Sequence, residues 1–357
     1  MRSSTGKHYL ALDHVRAFAA LVVVTWHFIH GPLGFPVTFS GAPAVFPLAV
    51  FDEGHTGVAM FMVLSGYLFA KLLDGKGVRY AAFLWNRVLR LLPLLSLVLI
   101  INIWQRYAAH QDALAYAKSL WHGLYDKSLP NGGWSITVEF HFYLVMPLVI
   151  WLLTRSRSWA LVLLAISIAL RCVLHEIRGE IQTLSYWTLI GRFDQFVLGA
   201  LAHYYSSWIR GHGGVVAAAL IGFMVFFWYW DYMGGFILMP SYPSPSRWWI
   251  ILPTLEGVTY GLLIAWYDGW CQPSGGWISR AVGMIGEASY SIYLLHFFFV
   301  FDAARYIHEN IMAIDNFYYA CLWAWLFFIA MAILAYFSYR YIERPFLKLR
   351  KPYLVNA

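Results

Sequence analysis

The apolar residues of this chain come in long blocks separated by short polar or Gly- and Pro-rich connections. Ten blocks stand out, at about 11–31, 55–73, 84–104, 134–153, 158–175, 185–206, 214–231, 248–267, 281–303 and 317–340. Most are close to the roughly 20 residues that an α-helix needs to cross a bilayer. The pattern predicts an all-α fold, a multi-pass transmembrane bundle of about ten helices. Residues 104–133 leave space for an interfacial helix, and 234–247 (GGFILMPSYPSPSR) reads as a loop from its Gly, Pro and Ser content. There is no internal repeat, and 17 residues follow the last block. The expectation is one membrane domain over 1–357, with no additional soluble domain.

Composition narrows the class. Apolar and aromatic residues with Cys make up 61% of the chain, and charged residues only 12%. A soluble surface carries roughly 25–35% charged residues, so most of this chain faces lipid or the inside of a bundle. Disorder, a secreted disulfide scaffold and an ordinary soluble enzyme are excluded together. The 18 Trp and 24 Tyr fit the aromatic belts that anchor helices at membrane interfaces. Cys172, Cys271 and Cys321 are scattered and form no CxxC, so neither a metal site nor a disulfide framework is expected. The net charge of +7 is explained by cytoplasmic loops, not by nucleic acid. With the N-terminus inside, 16 Lys and Arg fall on inner segments and 6 on outer ones, Arg16, Arg171 and Arg192 lying within helices. That asymmetry places both termini in the cytoplasm. The first block contains Asp13, His14 and Arg16 and has no small-residue cleavage site, so it is not read as a cleavable signal.

Charged groups at membrane depth are costly and usually mark a pathway or a site. Arg16 and His27 are 11 residues apart in the first block. On a helix they share nearly one face, about 16 Å apart along the axis. That is about the reach of an extended phosphopantetheine arm, so a substrate could lie along the helix with its anion at Arg16 and its reacting end at His27. Arg87 and Arg90, three residues apart, sit level with Arg16 at the inner boundary, and guanidinium forks suit phosphate. Glu139, five residues past Trp134, lies in the outer half with Tyr143 one turn on, at the depth of His27. A carboxylate beside an imidazole is the usual way to orient it. Arg192, Asp194, Tyr290, Ser291, Tyr293 and His296 are further polar residues within the blocks. Each has a structural reading too: arginines snorkel or anchor the inner face, and polar groups glue helices together. The layering says more than the individuals. Arginines gather at the inner face, while His27, Glu139 and His296 gather toward the outer half, which suits a polyanionic donor from the cytoplasm and a neutral acceptor on the far side.

These elements make the chain resemble the acyltransferase-3 family of multi-pass membrane acyltransferases. The matching stretches are LDHVRAFAALVVVTWH with its Arg-x10-His spacing, GHTGVAMFMVLSGYL (54–68), FLWNRVLRLLP (83–93) with an RxxR motif, WSITVEFHFYLVMPL (134–148), RFDQFVLGAL (192–201), ASYSIYLLH (288–296) and YRYIERPF (339–346). They occur in the family's order over almost the whole chain. The resemblance implies an O-acyltransferase that moves an acyl group, usually acetyl from acetyl-CoA, onto a hydroxyl of a carbohydrate such as an exopolysaccharide, lipopolysaccharide or lipid-linked glycan. It implies a bacterial cytoplasmic (inner) membrane location and polysaccharide biosynthesis or export machinery as a further partner. By position, His27 would be the general base or a transient acyl carrier, with Glu139 orienting it. Arg16, Arg87 and Arg90 would hold the phosphates of the acyl-CoA donor. Tyr143, Tyr293 and Ser65 are candidate oxyanion donors, and His296 and Arg192 further substrate-binding candidates. Many peptidoglycan and O-antigen members add an extracytoplasmic esterase-like domain, and this chain is expected to lack it.

The rival reading is a transporter or flippase that moves a glycan or acylated molecule without chemistry; a sensor or scaffold is a third. Transporters often carry symmetry-related repeats with broken helices at matching positions, and none is visible in this sequence. The orientation is directly checkable. Reporter fusions at Ala357 and within 104–133 are expected to fall on opposite sides of the membrane; the same side for both would overturn the topology.

Overall fold

In the computed structural model, residues 9–32, 34–270 and 275–356 are described; Arg2, Lys7, Cys271 and Ala357 lie outside them. The chain is an all-α, multi-pass bundle. Its principal helices are α1 (Leu10–His30), α2 (Thr56–Leu73), α3 (Tyr80–Ala108), α4 (Trp134–Arg155), α5 (Trp159–Arg178), α6 (Leu189–Tyr204), α7 (Gly213–Tyr232) and α8 (Trp248–Trp270), then α9 (Trp277–Glu287), α10 (Ser289–Leu295), α11 (Val300–Asn310) and α12 (Phe317–Ser338). Among the described residues, eight helices are long and apolar enough to cross a membrane, at eight of the ten predicted blocks. The two remaining blocks are broken helices. Thr188 leaves helical conformation between a short helix, Gln182–Trp187, and α6, and its side chain caps the Gly191 N–H. The block at 281–303 breaks after α9 and again at His296–Phe298, a 3₁₀ turn that precedes α11. The 104–133 segment, where an interfacial helix is expected, holds the helix Ala113–Ser119 and the 3₁₀ turn Leu120–Leu124, with Leu114, Trp121 and Leu124 exposed. Residues 234–247 are a loop apart from one turn of helix, Gly235–Leu238.

The outer helices are inverted relative to a soluble protein. On α5, Leu161, Val162, Ile166, Leu170, Val173 and Ile177 face outward, while Ser167, Arg171 and His175 are buried. A bundle in hydrocarbon must satisfy its polar groups internally, because lipid offers no hydrogen bonds. The buried faces are therefore rich in polar links. Arg171 donates to Asp194 at 2.7 Å and to the Gly191 carbonyl at 2.7 Å, tying α5 to α6. Lys71 pairs with Asp268 and lies 4.6 Å over the Tyr9 ring. The start of α1 thus meets the ends of α2 and α8 at one end of the bundle, here called the arginine end; His30 and Thr56 lie at the opposite, histidine end.

α2 crosses α6 at very close range. A Cβ placed on Gly66 would stand 2.0 Å from the Phe196 carbonyl oxygen, and one on Gly199 would stand 2.0 Å from the Val63 carbonyl oxygen. The two backbones touch through a reciprocal pair of glycines, the small-residue contact by which membrane helices gain packing without a hydrophobic driving force. α1 is approached similarly: Gly286 of α9 lies against the backbone of Asp13. Gly199→Ala or Gly66→Ala must separate α2 from α6. Overpacking a core typically costs about 1–3 kcal/mol, and a clash with backbone belongs at the upper end. Both variants are expected to lower the melting temperature in detergent clearly, whereas Gly222→Ala, where a Cβ meets nothing within 4 Å, should leave it unchanged.

Candidate active site

Two cavities run into the bundle and adjoin along α2. The first holds about 820 Å³ of atom-free space, part of it open to the outside. It is lined by Arg16, Arg87, Arg90, Glu139, Tyr143 and Tyr293, with Ser65 on the α2 wall. The three arginines read from sequence as a phosphate site, and the residues read as its polar neighbours, come from α1, α2, α3, α4 and α10 into this one space. Arg16 is held by a hydrogen bond to Asp13, one turn back on α1. Arg87 is cradled by rings instead: its guanidinium is 5.2 Å from the Phe69 centroid, 5.3 Å from Phe83 and 5.8 Å from Tyr143. It forms no hydrogen bond or ion pair among the described residues, and its Nε is buried without a partner. A guanidinium whose Nε is buried without a partner is a ready donor to a phosphate oxygen.

The structure does not pair Glu139 with His27. Its carboxylate accepts from Ser65 Oγ at 3.0 Å and from the Tyr143 hydroxyl, so it belongs to the arginine cavity. Depth along each helix suggested a neighbour for His27; rotation about the α4 axis decided otherwise. The partner of His27 is His296, whose Nε2 is 3.2 Å from His27 Nδ1. The protonation pattern follows from the acceptors around each ring. His296 Nδ1 faces the Ile292 carbonyl at 3.1 Å, so it carries the proton and leaves Nε2 as an acceptor. His27 Nδ1 faces both that Nε2 and the Val23 carbonyl at 3.0 Å, so it too carries the proton. His27 Nε2 is left with a free lone pair and no hydrogen-bond partner among the described residues. The break before α11 is what brings His296 there.

That lone pair belongs to a ring on the wall of the second cavity, which holds about 1490 Å³ of atom-free space, part of it open. Its lining is aromatic: Trp26, Trp134, Tyr186, Trp187, Phe236 and Tyr242, with His55 and Lys127. Flat rings with a few polar groups are the usual surface for a ligand that has apolar faces and hydroxyl edges. Val58 and Tyr293 line both cavities and form the partition between them. Tyr293 donates to the Gly132 carbonyl at 3.1 Å.

Two residues take roles that sequence did not indicate. Arg192, a substrate-binding candidate from its depth, lines neither cavity. It donates from Nε to the Tyr186 carbonyl at 2.6 Å and lies 4.4 Å from the Tyr186 centroid, behind the aromatic wall. A chain of side chains continues through Gln195 and Glu256 to Thr56. His55 was missed. Its Nε2 is 2.9 Å from Glu53 Oε2, and Glu53 accepts from the Phe236 N–H. Burial pushes Glu53 up to about 8 and His55 down to about 3, so the pair sits neutral beside the aromatic wall. The GHTG stretch carried His55 in plain view, but nothing in its spacing pointed to a cavity.

Residues 9–341 match the acyltransferase domain family Acyl_transf_3. A protein of Komagataeibacter xylinus named as a membrane-bound transacylase, BcsY, is 28% identical over 274 residues, covering 68% of this chain. The O-acetyltransferase OatA of Staphylococcus aureus (strain NCTC 8325 / PS 47) is 26% identical over 386 residues, covering 94% of this chain. The chain spans 65% and 57% of the lengths of these two relatives. No solved structure matches it.

The surroundings of the two histidines at the end of α1 separate chemistry from architecture. His30 uses both ring nitrogens, Nδ1 to the Val37 carbonyl at 3.0 Å and Nε2 to Asp52 Oδ1 at 3.1 Å, and has no lone pair to spare. Removing it strands a buried carboxylate, a change typically worth about 3–5 kcal/mol. His30→Ala is therefore expected to destabilise the protein severely in thermal unfolding, while His27→Ala, which opens onto a cavity, should unfold within a few degrees of the native chain.

Proposed function

Because this chain belongs to the Acyl_transf_3 acyltransferase family, we propose that it is a membrane-embedded O-acyltransferase that moves an acyl group, acetyl by preference, from a cytoplasmic acyl-CoA to a hydroxyl of a carbohydrate acceptor. The acceptor class is an exopolysaccharide, lipopolysaccharide or lipid-linked glycan, and the membrane is the bacterial cytoplasmic membrane with both termini inside. The observation that carries this reading is the junction of two unlike cavities at Val58 and Tyr293. One offers guanidinium groups and suits a polyphosphate. The other offers aromatic faces beside a histidine with a free lone pair, and suits a sugar.

The donor supplies the acyl group as an activated thioester. Arg16, Arg87 and Arg90 bind its phosphates and leave its acyl end to reach toward Tyr293. His27 Nε2 accepts the proton of the acceptor hydroxyl as its oxygen attacks the thioester carbonyl. The new C–O bond forms, the C–S bond breaks, and the proton passes from His27 to the departing thiolate. His296 keeps His27 in the tautomer with Nδ1–H and a basic Nε2; it is a positioning residue. Tyr293, on the partition, is a donor to the developing oxyanion once its hydroxyl turns from the Gly132 carbonyl. Glu139 acts at a distance from His27. It holds the Tyr143 and Ser65 hydroxyls and offsets the positive charge of the three arginines.

General-base catalysis of this kind is worth roughly 10²–10⁴-fold in rate. With purified protein, acetyl-CoA and an oligosaccharide acceptor, His27→Ala is expected to lose thiol release by about that factor while remaining folded. His296→Ala should lose less, because the Val23 carbonyl still holds Nδ1–H. Arg87→Ala should raise the donor KM more than the acceptor KM, with partial rescue by Lys, a point charge without the fork. Near-normal product from His27→Ala, by mass spectrometry, would sink the mechanism. Absence of any acetyl-CoA consumption by the native protein across carbohydrate acceptors would sink the activity.

A further inference from the structure

Beyond the last long helix, residues Lys348–Asn356 form a strap fastened across the start of α3. The strands β1 (Lys76–Val78) and β2 (Leu354–Asn356) pair antiparallel, Val78 opposite Leu354. The Arg79 N–H donates to the Tyr353 carbonyl at 2.8 Å, and the buried Tyr353 ring lies 5.6 Å from Phe83. A two-point amide clamp completes the fastening. The Lys351 N–H donates to Asn86 Oδ1 at 2.9 Å, and Asn86 Nδ2 donates to the Lys351 carbonyl at 2.7 Å. Asn86 precedes Arg87, and Arg350 precedes Lys351. The clamp fastens the strap at this turn of α3, and Arg350 lies within electrostatic range of Arg90 and Arg87, behind the arginines that line the cavity.

This is an unfavourable place for a third cation. Burial, then the charges of Arg90 and Arg87, pull Arg350 down to about 10. Its Nε is buried without a partner, as is that of Arg87, and neither side chain has a hydrogen bond or ion pair among the described residues. A nearby carboxylate, Glu343, accepts from Ser291 Oγ at 2.5 Å and lies within electrostatic range of Arg90 and Arg350, without a hydrogen bond to Arg350. Arg171 and Arg192, by comparison, are tied to acceptors elsewhere in the bundle. Two guanidiniums with an unpartnered Nε, those of Arg87 and Arg350, gathered with that of Arg90, form a site for a multiply charged oxyanion.

We propose that Arg350 is a further arm of the donor clamp, contributed by the C-terminal strap, and that together with Arg16, Arg87 and Arg90 it binds the phosphate groups of a nucleotide-bearing acyl donor. The assignment rests on the donor reading given above and adds a residue and a segment to it. It also makes the strap part of the donor site: Asn86, which touches no phosphate, becomes a positioning residue through the clamp.

The test is donor binding to the full-length protein in phospholipid-free detergent, with CoA and 3′,5′-ADP as probes. Arg350→Gln is expected to weaken both about tenfold or more, since a hydrogen bond to a charged group is worth about 1.5–3 kcal/mol. Arg350→Lys should recover part of the loss. Asn86→Ala keeps every arginine and frees the strap, and should weaken both probes less than Arg350→Gln. In turnover, Arg350→Gln should raise the donor KM and leave kcat and the acceptor KM near native values. Native affinity for both probes in a folded Arg350→Gln variant, when Arg87→Ala has lost them, would overturn the role of Arg350 and leave the donor reading standing. If Arg350→Gln changes only retention of added phosphatidylglycerol, the arginines serve a lipid headgroup and the assignment to the donor is wrong. If the native protein binds neither CoA nor 3′,5′-ADP, the donor reading itself fails and takes this inference with it.

Discussion

The backbone contact between α2 and α6 at Gly66 and Gly199 is the constraint from which the rest of the arrangement follows. It lets two helices approach until carbonyl oxygens occupy the space of a side chain. α2 is thereby fixed in the middle of the bundle and presents different residues to two spaces. Ser65 and Phe69 face the arginine cavity, His55, immediately before the helix, faces the aromatic one, and Val58 belongs to both. A bundle with α2 pushed outward by one methyl group would shift both walls at once. In lipid, where burial of apolar surface does not itself draw helices together, such close contacts and the polar links between helices supply the cohesion.

The polar groups of the interior fall into two kinds. Some link helices: Arg171 with Asp194 and Thr254, Arg192 with Tyr186 and Gln195, His30 with Asp52. Removal of one partner in such a link leaves a buried group unsatisfied, so these residues serve architecture. Others are placed with part of their bonding capacity unspent. Arg87 has rings around it and no acceptor, Arg350 has cations beside it and no acceptor, and His27 has a spare lone pair facing a cavity. The second kind is open to a partner from outside the chain, and it separates Arg87 from Arg192 although both are arginines within the bundle.

Irregular backbone does much of the placing. The break at Thr188 ends a short helix whose Tyr186 and Trp187 form part of the aromatic wall. The 3₁₀ turn at His296 aims an imidazole back at α1. The π turn Tyr339–Glu343 at the end of α12 buries Glu343 against Ser291 and sends the chain back over α3 as the strap. Uninterrupted helices would reach the same depths with none of these side chains turned inward.

The sequence alone determined the class of the molecule and the list of groups at membrane depth. Both follow from one-dimensional quantities. Block length against bilayer thickness sets the spans, and the 11-residue interval from Arg16 to His27 sets their separation along one helix whatever surrounds it. The RxxR spacing likewise keeps Arg87 and Arg90 together. Depth is thus legible from a sequence, but rotation about each helix axis is not. Glu139 and His27 are both polar groups within the bundle at similar depth, yet they are not a pair, because α4 turns the carboxylate toward Tyr143 and Ser65. His296 and His27 are 269 residues apart, and only the packing of α10 and α11 against α1 decides that they meet. Arg350 lies beyond the last apolar block, where composition reads only an anchoring basic tail. Its place beside Arg87 depends on two hydrogen bonds to Asn86, a contact between distant parts of the chain that no local pattern encodes.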